Sequence, residues 1–239
     1  VLGIIDAGNT QIKVAVFDKQ QLLKHAVYKG FDANLTAFLQ ENLIKQVFVS
    51  SVVNIPEAFE NNSNFTVTVL NHTHKTPINN AYKTPQTLGS DRLANACGAY
   101  VTNGNKGPVL AIDLGTCIKF DLVDAEGNYL GGSIAPGFEM RLKALNHFTQ
   151  KLPLVEVNVM PNLIGASSNE SIASGVVNGM IAEINGLIDQ YERQFPSIKV
   201  FLTGGDAAFF LNSLKNNIFA SPLLTLHGLN AIANVNGLN

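Results

Sequence analysis

The chain has 239 residues, 46% of them hydrophobic and only 14% charged, with a formal net charge of −2. This is ample material for a core and excludes a disordered chain. The near-neutral balance excludes partners held by a strongly basic surface, so neither nucleic acid nor an anionic membrane is expected.

The opening Val1–Asp18 is an apolar run, a polar Gly-containing turn and a second run rich in β-branched residues. That pattern predicts strand, tight turn, strand. A third strand is expected at Leu22–Tyr28. A helix is expected at Leu35–Asn42, where Leu35, Phe38, Leu39 and Leu43 share a face. Val47–Val53 and Phe65–Leu70 read as strands, the second among loops carrying Pro56, Pro77 and Pro85. Ser90 or Asp91 is placed to cap a helix of small residues running to Val101.

The turn-rich segment Asn103–Pro108 marks a boundary, giving expected domains 1–105 and 106–239. Beyond it the opening pattern restarts. Asp113-Leu-Gly-Thr116 overlays Asp6-Ala-Gly-Asn-Thr10 with one gap, Ile118-Lys119 overlays Ile12-Lys13, and Asp124 overlays Asp18. A turn at Ala125–Asn128 leads to a strand at Tyr129–Ile134. A long helix at Ser171–Tyr191, a strand at Val200–Leu202 and helix after Ala207 complete the reading. Two copies of one pattern predict a duplicated α/β domain with a site between the halves.

No apolar run reaches the roughly 18–20 residues of a transmembrane helix. No leader pattern opens the chain, and Cys97 and Cys117 are too few for a disulfide scaffold. A cytoplasmic, reduced protein is the expectation.

The repeated turn has a chemical logic. Glycine lets the backbone approach a ligand closely, and consecutive N–H groups with a Thr hydroxyl suit phosphate oxygens. The preceding carboxylate suits a cation or its water shell. A single copy would read as a plain hairpin; the matching Thr and Lys favour a paired phosphate site. Gly89-Ser-Asp-Arg92 puts a carboxylate beside a guanidinium at a helix start. It reads either as an N-cap followed by a surface Arg or as a hydroxyl orienter beside a carboxylate clamp. Thr203-Gly-Gly-Asp206 is a further strand-end turn. The five histidines show no metal-ligand spacing.

Taken in order, Asp6–Thr10, Gly89–Arg92, Asp113–Thr116, Tyr129–Gly137, Lys151–Pro153, Ile164-Gly165 with Glu170 and Ser174-Gly175, and Thr203–Gly205 resemble the type III pantothenate kinases. The resemblance implies an actin-like (ribonuclease H-like) α/β fold, with duplicated mixed five-stranded sheets and an interdomain cleft. It implies ATP-dependent phosphorylation of pantothenate to 4'-phosphopantothenate, the first step of coenzyme A biosynthesis.

It also implies site residues. Asp6, Ala7, Gly8, Asn9, Thr10, Gln11, Ile12, Lys13 and Thr116 would bind ATP, with Asp6 holding Mg2+ through water. Asp91 would be the catalytic proton acceptor. Tyr82, Gly89, Ser90, Asp91, Arg92 and Ser168 would bind pantothenate, and Asp113 a monovalent cation, K+ or NH4+. A homodimer is implied. Ile118 and Lys119 stand where that family commonly has two Thr. Lys119 would either face Asp113 across the hairpin and stand in for the ion, or point to the other side of the sheet. Two alternatives to this kinase are a non-catalytic nucleotide-binding regulator of the same superfamily and a kinase for another small carboxylate.

Overall fold

A computed structural model describes residues 1–215 and 217–238. The chain runs β1 (Leu2–Ala7), β2 (Ile12–Asp18), β3 (Gln21–Tyr28), α1 (Ala33–Glu41), β4 (Gln46–Ser51), α2 (Glu57–Glu60), β5 (Thr66–Val69), β6 (Asn79–Asn80) and α3 (Ser90–Thr102). It continues through β7 (Val109–Leu114), β8 (Cys117–Val123), β9 (Asn128–Pro136), α4 (Phe138–His147), α5 (Ser168–Gln194), β10 (Lys199–Thr203), α6 (Ala207–Phe210), β11 (Ile218–Ala220) and α7 (Leu224–Val235). It is an α/β fold with two mixed sheets.

The first sheet has the order β3-β2-β1-β4-β5. β1 pairs antiparallel with β2 and parallel with β4. The second sheet repeats this order as β9-β8-β7-β10-β11 and adds β6 beside β9, so it has six strands where five were expected. β1 and β7 have the same length and the same burial sequence, with the carboxylate at the fifth, half-buried position of each. The sequence repeat is therefore a repeat of fold.

The chain divides into two compact units. The first comprises Val1–Val109, Asp121–Gly131 and the chain from Leu223 onward; the second comprises Leu110–Phe120 and Gly132–Pro222. This differs from a single cut at 105/106. The C-terminal helix α7 packs on α3 of the first unit through paired glycines. A Cβ at Gly98 would collide with the Leu224 carbonyl, and one at Gly228 with the Ala94 carbonyl. Thr225 Oγ1 also donates to Asn95 Oδ1 at 2.7 Å in the buried seam.

In the first unit, Asp32 caps α1 by accepting from the Asn34 and Leu35 amides, each at 3.0 Å. This aims Leu35 and Leu39 at Ile5, Val14, Val47 and Val49 of the sheet. Helix α3 is buried on nearly every side from Arg92 to Ala99, as its small residues allow.

In the second unit, Arg141 Nη2 of α4 reaches Glu183 Oε2 of α5 at 2.7 Å. Helix α5 begins with a cap in which Ser167 accepts from the Glu170 amide, while Glu170 Oε2 accepts from the Ala166 amide at 2.7 Å. Ser174 Oγ donates to the Leu163 carbonyl at 2.6 Å. The Glu170 and Ser174 signals in the sequence thus fasten the approach segment to its helix. Among the described residues α5 alone is long and apolar enough to cross a membrane, although no such run was expected. Its apolar residues Ile172, Val176, Val177, Met180, Ile184 and Ile188 are buried within the protein.

Candidate active site

In the first unit, β1 carries Asp6 and buried Ala7 into a turn closed by the Gly8 amide donating to the Gln11 carbonyl at 3.1 Å. Asn9 and Thr10 are exposed at its tip, and Gly8 and Gln11 half-buried at its base. Ile12 is buried beneath it, and Lys13 is the register partner of Asp6. On the other side of β1, Asp6 is opposite Ser50 of β4. Ser50 is buried, and its Oγ lies 2.8 Å from Ser90 Oγ at the first turn of α3.

One strand position and one hydroxyl pair therefore link the first turn to the Gly89–Arg92 helix start. Ser90 makes this tie instead of capping; Gly89 is the N-cap residue and makes no side-chain cap bond. Asp91 Oδ1 accepts from the Arg92 amide at 2.9 Å, which holds the carboxylate at the helix N-terminus. A Cβ at Gly89 would stand 2.7 Å from that oxygen, so glycine is what lets the carboxylate lie there. A cavity of about 340 Å³ in this unit is lined by Ser51, Val52, Asn80, Gln86, Gly89 and Ser90, among others.

Arg92 is neither a surface residue nor an isolated one. It is 6% exposed, and its Nε donates to Asp121 Oδ1 at 2.9 Å. Tyr129 Oη donates to the same oxygen at 2.7 Å. Arg92 Nη2 lies 2.7 Å from Oδ1 without a directed hydrogen bond, and Asp121 Oδ2 is buried with none. The guanidinium carbon stands 5.7 Å from the centre of the Tyr82 ring, which packs at 5.9 Å on Tyr129. Burial pushes the Asp121 carboxyl up to about 6, against the opposing pull of Arg92 and Tyr129. Burial, with the Asp121 charge, pushes the Tyr129 hydroxyl up as well, so it remains a donor.

Asp121 and Tyr129 were missed by sequence reasoning as the residues that hold Arg92. The available signal was an acid set between Phe120 and Leu122 in an apolar strand, which demands a partner.

In the second unit, β7 ends at Asp113-Leu114 and the turn Gly115-Thr116 leads into β8, with the Gly115 amide donating to the Cys117 carbonyl at 3.2 Å. Thr116 is exposed at the tip. Gly137 at the start of α4 donates to the Thr116 carbonyl at 3.1 Å, and a Cβ there would overlap the turn. Gly204, at φ +102°, closes the Thr203–Asp206 turn on the end of β7. Lys119 Nζ lies 2.8 Å from Asp113 Oδ2, with both side chains mostly buried, while Ile118 is fully buried. Of the two orientations open to Lys119, the chain takes the one facing Asp113. Ser168 is the exposed first residue of α5.

The model of the type III pantothenate kinase family matches residues 4–190. A type III pantothenate kinase from Phocaeicola vulgatus is 40% identical over 98% of each chain. Among solved structures, a Baf family protein from Campylobacter jejuni aligns over 98% of each chain, with a TM-score of 0.65 at 22% identity. A ROK family glucokinase from Streptomyces griseus aligns over 97% of each chain, with a TM-score of 0.53 at 13% identity. The last two show a shared fold.

Proposed function

The chain belongs to the type III pantothenate kinase family, and on that premise we propose that it phosphorylates pantothenate with ATP through Asp91. The reaction is the first step of coenzyme A biosynthesis. The pantothenate hydroxyl oxygen attacks the γ-phosphorus, the bond to the β,γ-bridging oxygen breaks, ADP leaves, and the hydroxyl proton passes to Asp91. Phosphoryl transfer asks for positioning and charge compensation more than for a strong base. A carboxylate held at a helix N-terminus supplies positioning.

The observation that carries this reading is the linkage Asp6, Ser50, Ser90, Asp91. It ties the first turn to the helix start that holds the proton acceptor.

In this reading Asp6 to Lys13 and Thr116 contact ATP. Asp6, half-buried at a strand end beside the exposed Asn9 and Thr10, suits a hydrated Mg2+, which compensates phosphate charge when bound. Gly89, Ser90, Asp91, Arg92 and Tyr82 bind pantothenate, with Arg92 held in place by Asp121, and Ser168 contributes a hydroxyl. The monovalent cation implied at Asp113 does not fit as well, since the Lys119 ammonium stands on Oδ2.

The working state is a homodimer. Its support is exposed small and apolar residues: Gly175, Gly179 and Gly186 of α5 have open space where a Cβ would stand, and Phe148, Val159, Leu163 and Ile164 are exposed. The compartment is the cytoplasm. An assay of ADP release with pantothenate, against sugars and short-chain acids, tests the reading. ADP release with pantothenate alone supports it, and release only with another acceptor rejects it.

A further inference from the structure

Asp113 sits near the end of β7, with one carboxylate oxygen held by a lysine and the other packed closely by a glycine turn. Oδ2 accepts from Lys119 Nζ at 2.8 Å, and the two side chains are 15% and 17% exposed. On the other side, a Cβ at Gly204 would stand 2.6 Å from Oδ1, so the Thr203–Asp206 turn is closed down on the carboxylate. The surroundings are negative. Asp206 is raised above the usual carboxylate range by burial, with Glu139 and then Asp113 adding repulsion. This end of the strand needs a positive charge, and the chain provides one on its own side chain.

A potassium ion and a lysine ammonium carry the same charge and seek the same carboxylate lobe. Two such cations on one oxygen would repel each other at close range in a half-buried place. The ammonium also arrives without shedding a hydration shell in each binding event, because it is already covalently delivered and hydrogen-bonded.

We propose that Lys119 is the built-in monovalent cation of the second phosphate turn, and that nucleotide binding and turnover in this chain need neither potassium nor ammonium. The inference rests on the kinase reading for its nucleotide, and its test separates the two.

Affinity for ADP is measured by calorimetry in buffers whose only monovalent cation is sodium or tetramethylammonium, and again with added potassium. Turnover with pantothenate is followed in parallel. The wild type is expected to change by less than about twofold. Lys119→Thr, which removes the charge and opens the carboxylate, is expected to lose affinity about tenfold without potassium and regain it with potassium or ammonium, a coupling of ordinary size. Lys119→Met removes the charge but fills the space, and is expected to lose affinity without regaining it.

A wild type that gains about tenfold in affinity with potassium overturns the proposal without any variant. So does a folded Lys119→Thr that binds as the wild type does in potassium-free buffer. If ADP binds as expected but pantothenate is never phosphorylated, the kinase reading fails and the assignment of Lys119 stands.

Discussion

Arg92 donates from Nε to Asp121 Oδ1 at 2.9 Å, and neither side chain has appreciable contact with solvent. The pair joins the first turn of α3 to the strand β8 across 29 residues of sequence. Removing one partner of such a pair strands the other charge in the interior, at a cost of about 3–5 kcal/mol. Asp121→Ala and Arg92→Ala are each expected to destabilise by about that amount, and the double variant by clearly less than their sum. Urea denaturation of the four proteins gives the coupling. Additive losses would show that the two charges act independently.

If Arg92 binds pantothenate as proposed, the same pair is expected to make that binding sensitive to pH. The Asp121 carboxyl is pushed up to about 6. Below that pH it takes a proton and loosens its hold on Arg92. The KM for pantothenate is expected to rise as pH falls through about 6 in the wild type, while the KM for ATP follows only its own ionisation. Asp121→Asn is expected to have a raised KM for pantothenate at pH 7 with no further rise on acidification, and Arg92→Ala to raise that KM far more than the KM for ATP. A pantothenate KM that tracks the ATP KM in all three proteins would assign Arg92 a purely structural role.

Asp91→Asn keeps the shape of the side chain and an oxygen for the Arg92 amide. It removes the charge that, in the proposed mechanism, orients the hydroxyl and accepts its proton. Turnover is expected to fall by about 10²–10⁴-fold with ATP affinity unchanged. Steady-state kinetics beside nucleotide calorimetry measures both, and near-wild-type turnover would remove Asp91 from the mechanism.

The hairpin repeat was legible because Asp-x-Gly and a following Thr mark a turn locally, and the turn needs nothing distant to form. The facing of Lys119 and Asp113 was legible as one of two alternatives, because position in a hairpin is counted along the sequence. Arg92 was not legible in the same way. Its place at a helix start suggested a surface residue, and only the fold brings Asp121 and Tyr129 to it. Helix α4 was missed because its charged, mixed sequence follows directly on Pro136-Gly137, which reads as a loop. The strand β6 is two Asn residues, with no hydrophobic pattern to reveal it. The return of α7 to the first unit depends on the Gly98–Gly228 approach, a contact across 130 residues for which a single sequence holds no local sign.

The open face of α5 carries the expectation of a dimer. Light scattering at micromolar concentration is expected to give twice the 25.6 kDa chain mass. Gly179→Arg, placed where an added Cβ meets no described atom within 4 Å beyond its chain neighbours and its own helix backbone, is expected to yield a folded monomer. A wild-type monomer would remove the homodimer from the account.

The central claim is that this chain transfers the γ-phosphoryl group of ATP to the terminal hydroxyl of pantothenate. Its most direct test is to incubate the purified protein with Mg-ATP and pantothenate and identify the products by mass spectrometry and phosphorus NMR. The account predicts 4'-phosphopantothenate and ADP in equal amounts, formed by the wild type and not by Asp91→Asn. ADP formed without a phosphorylated pantothenate, or no ADP from a protein that binds the nucleotide, would contradict it.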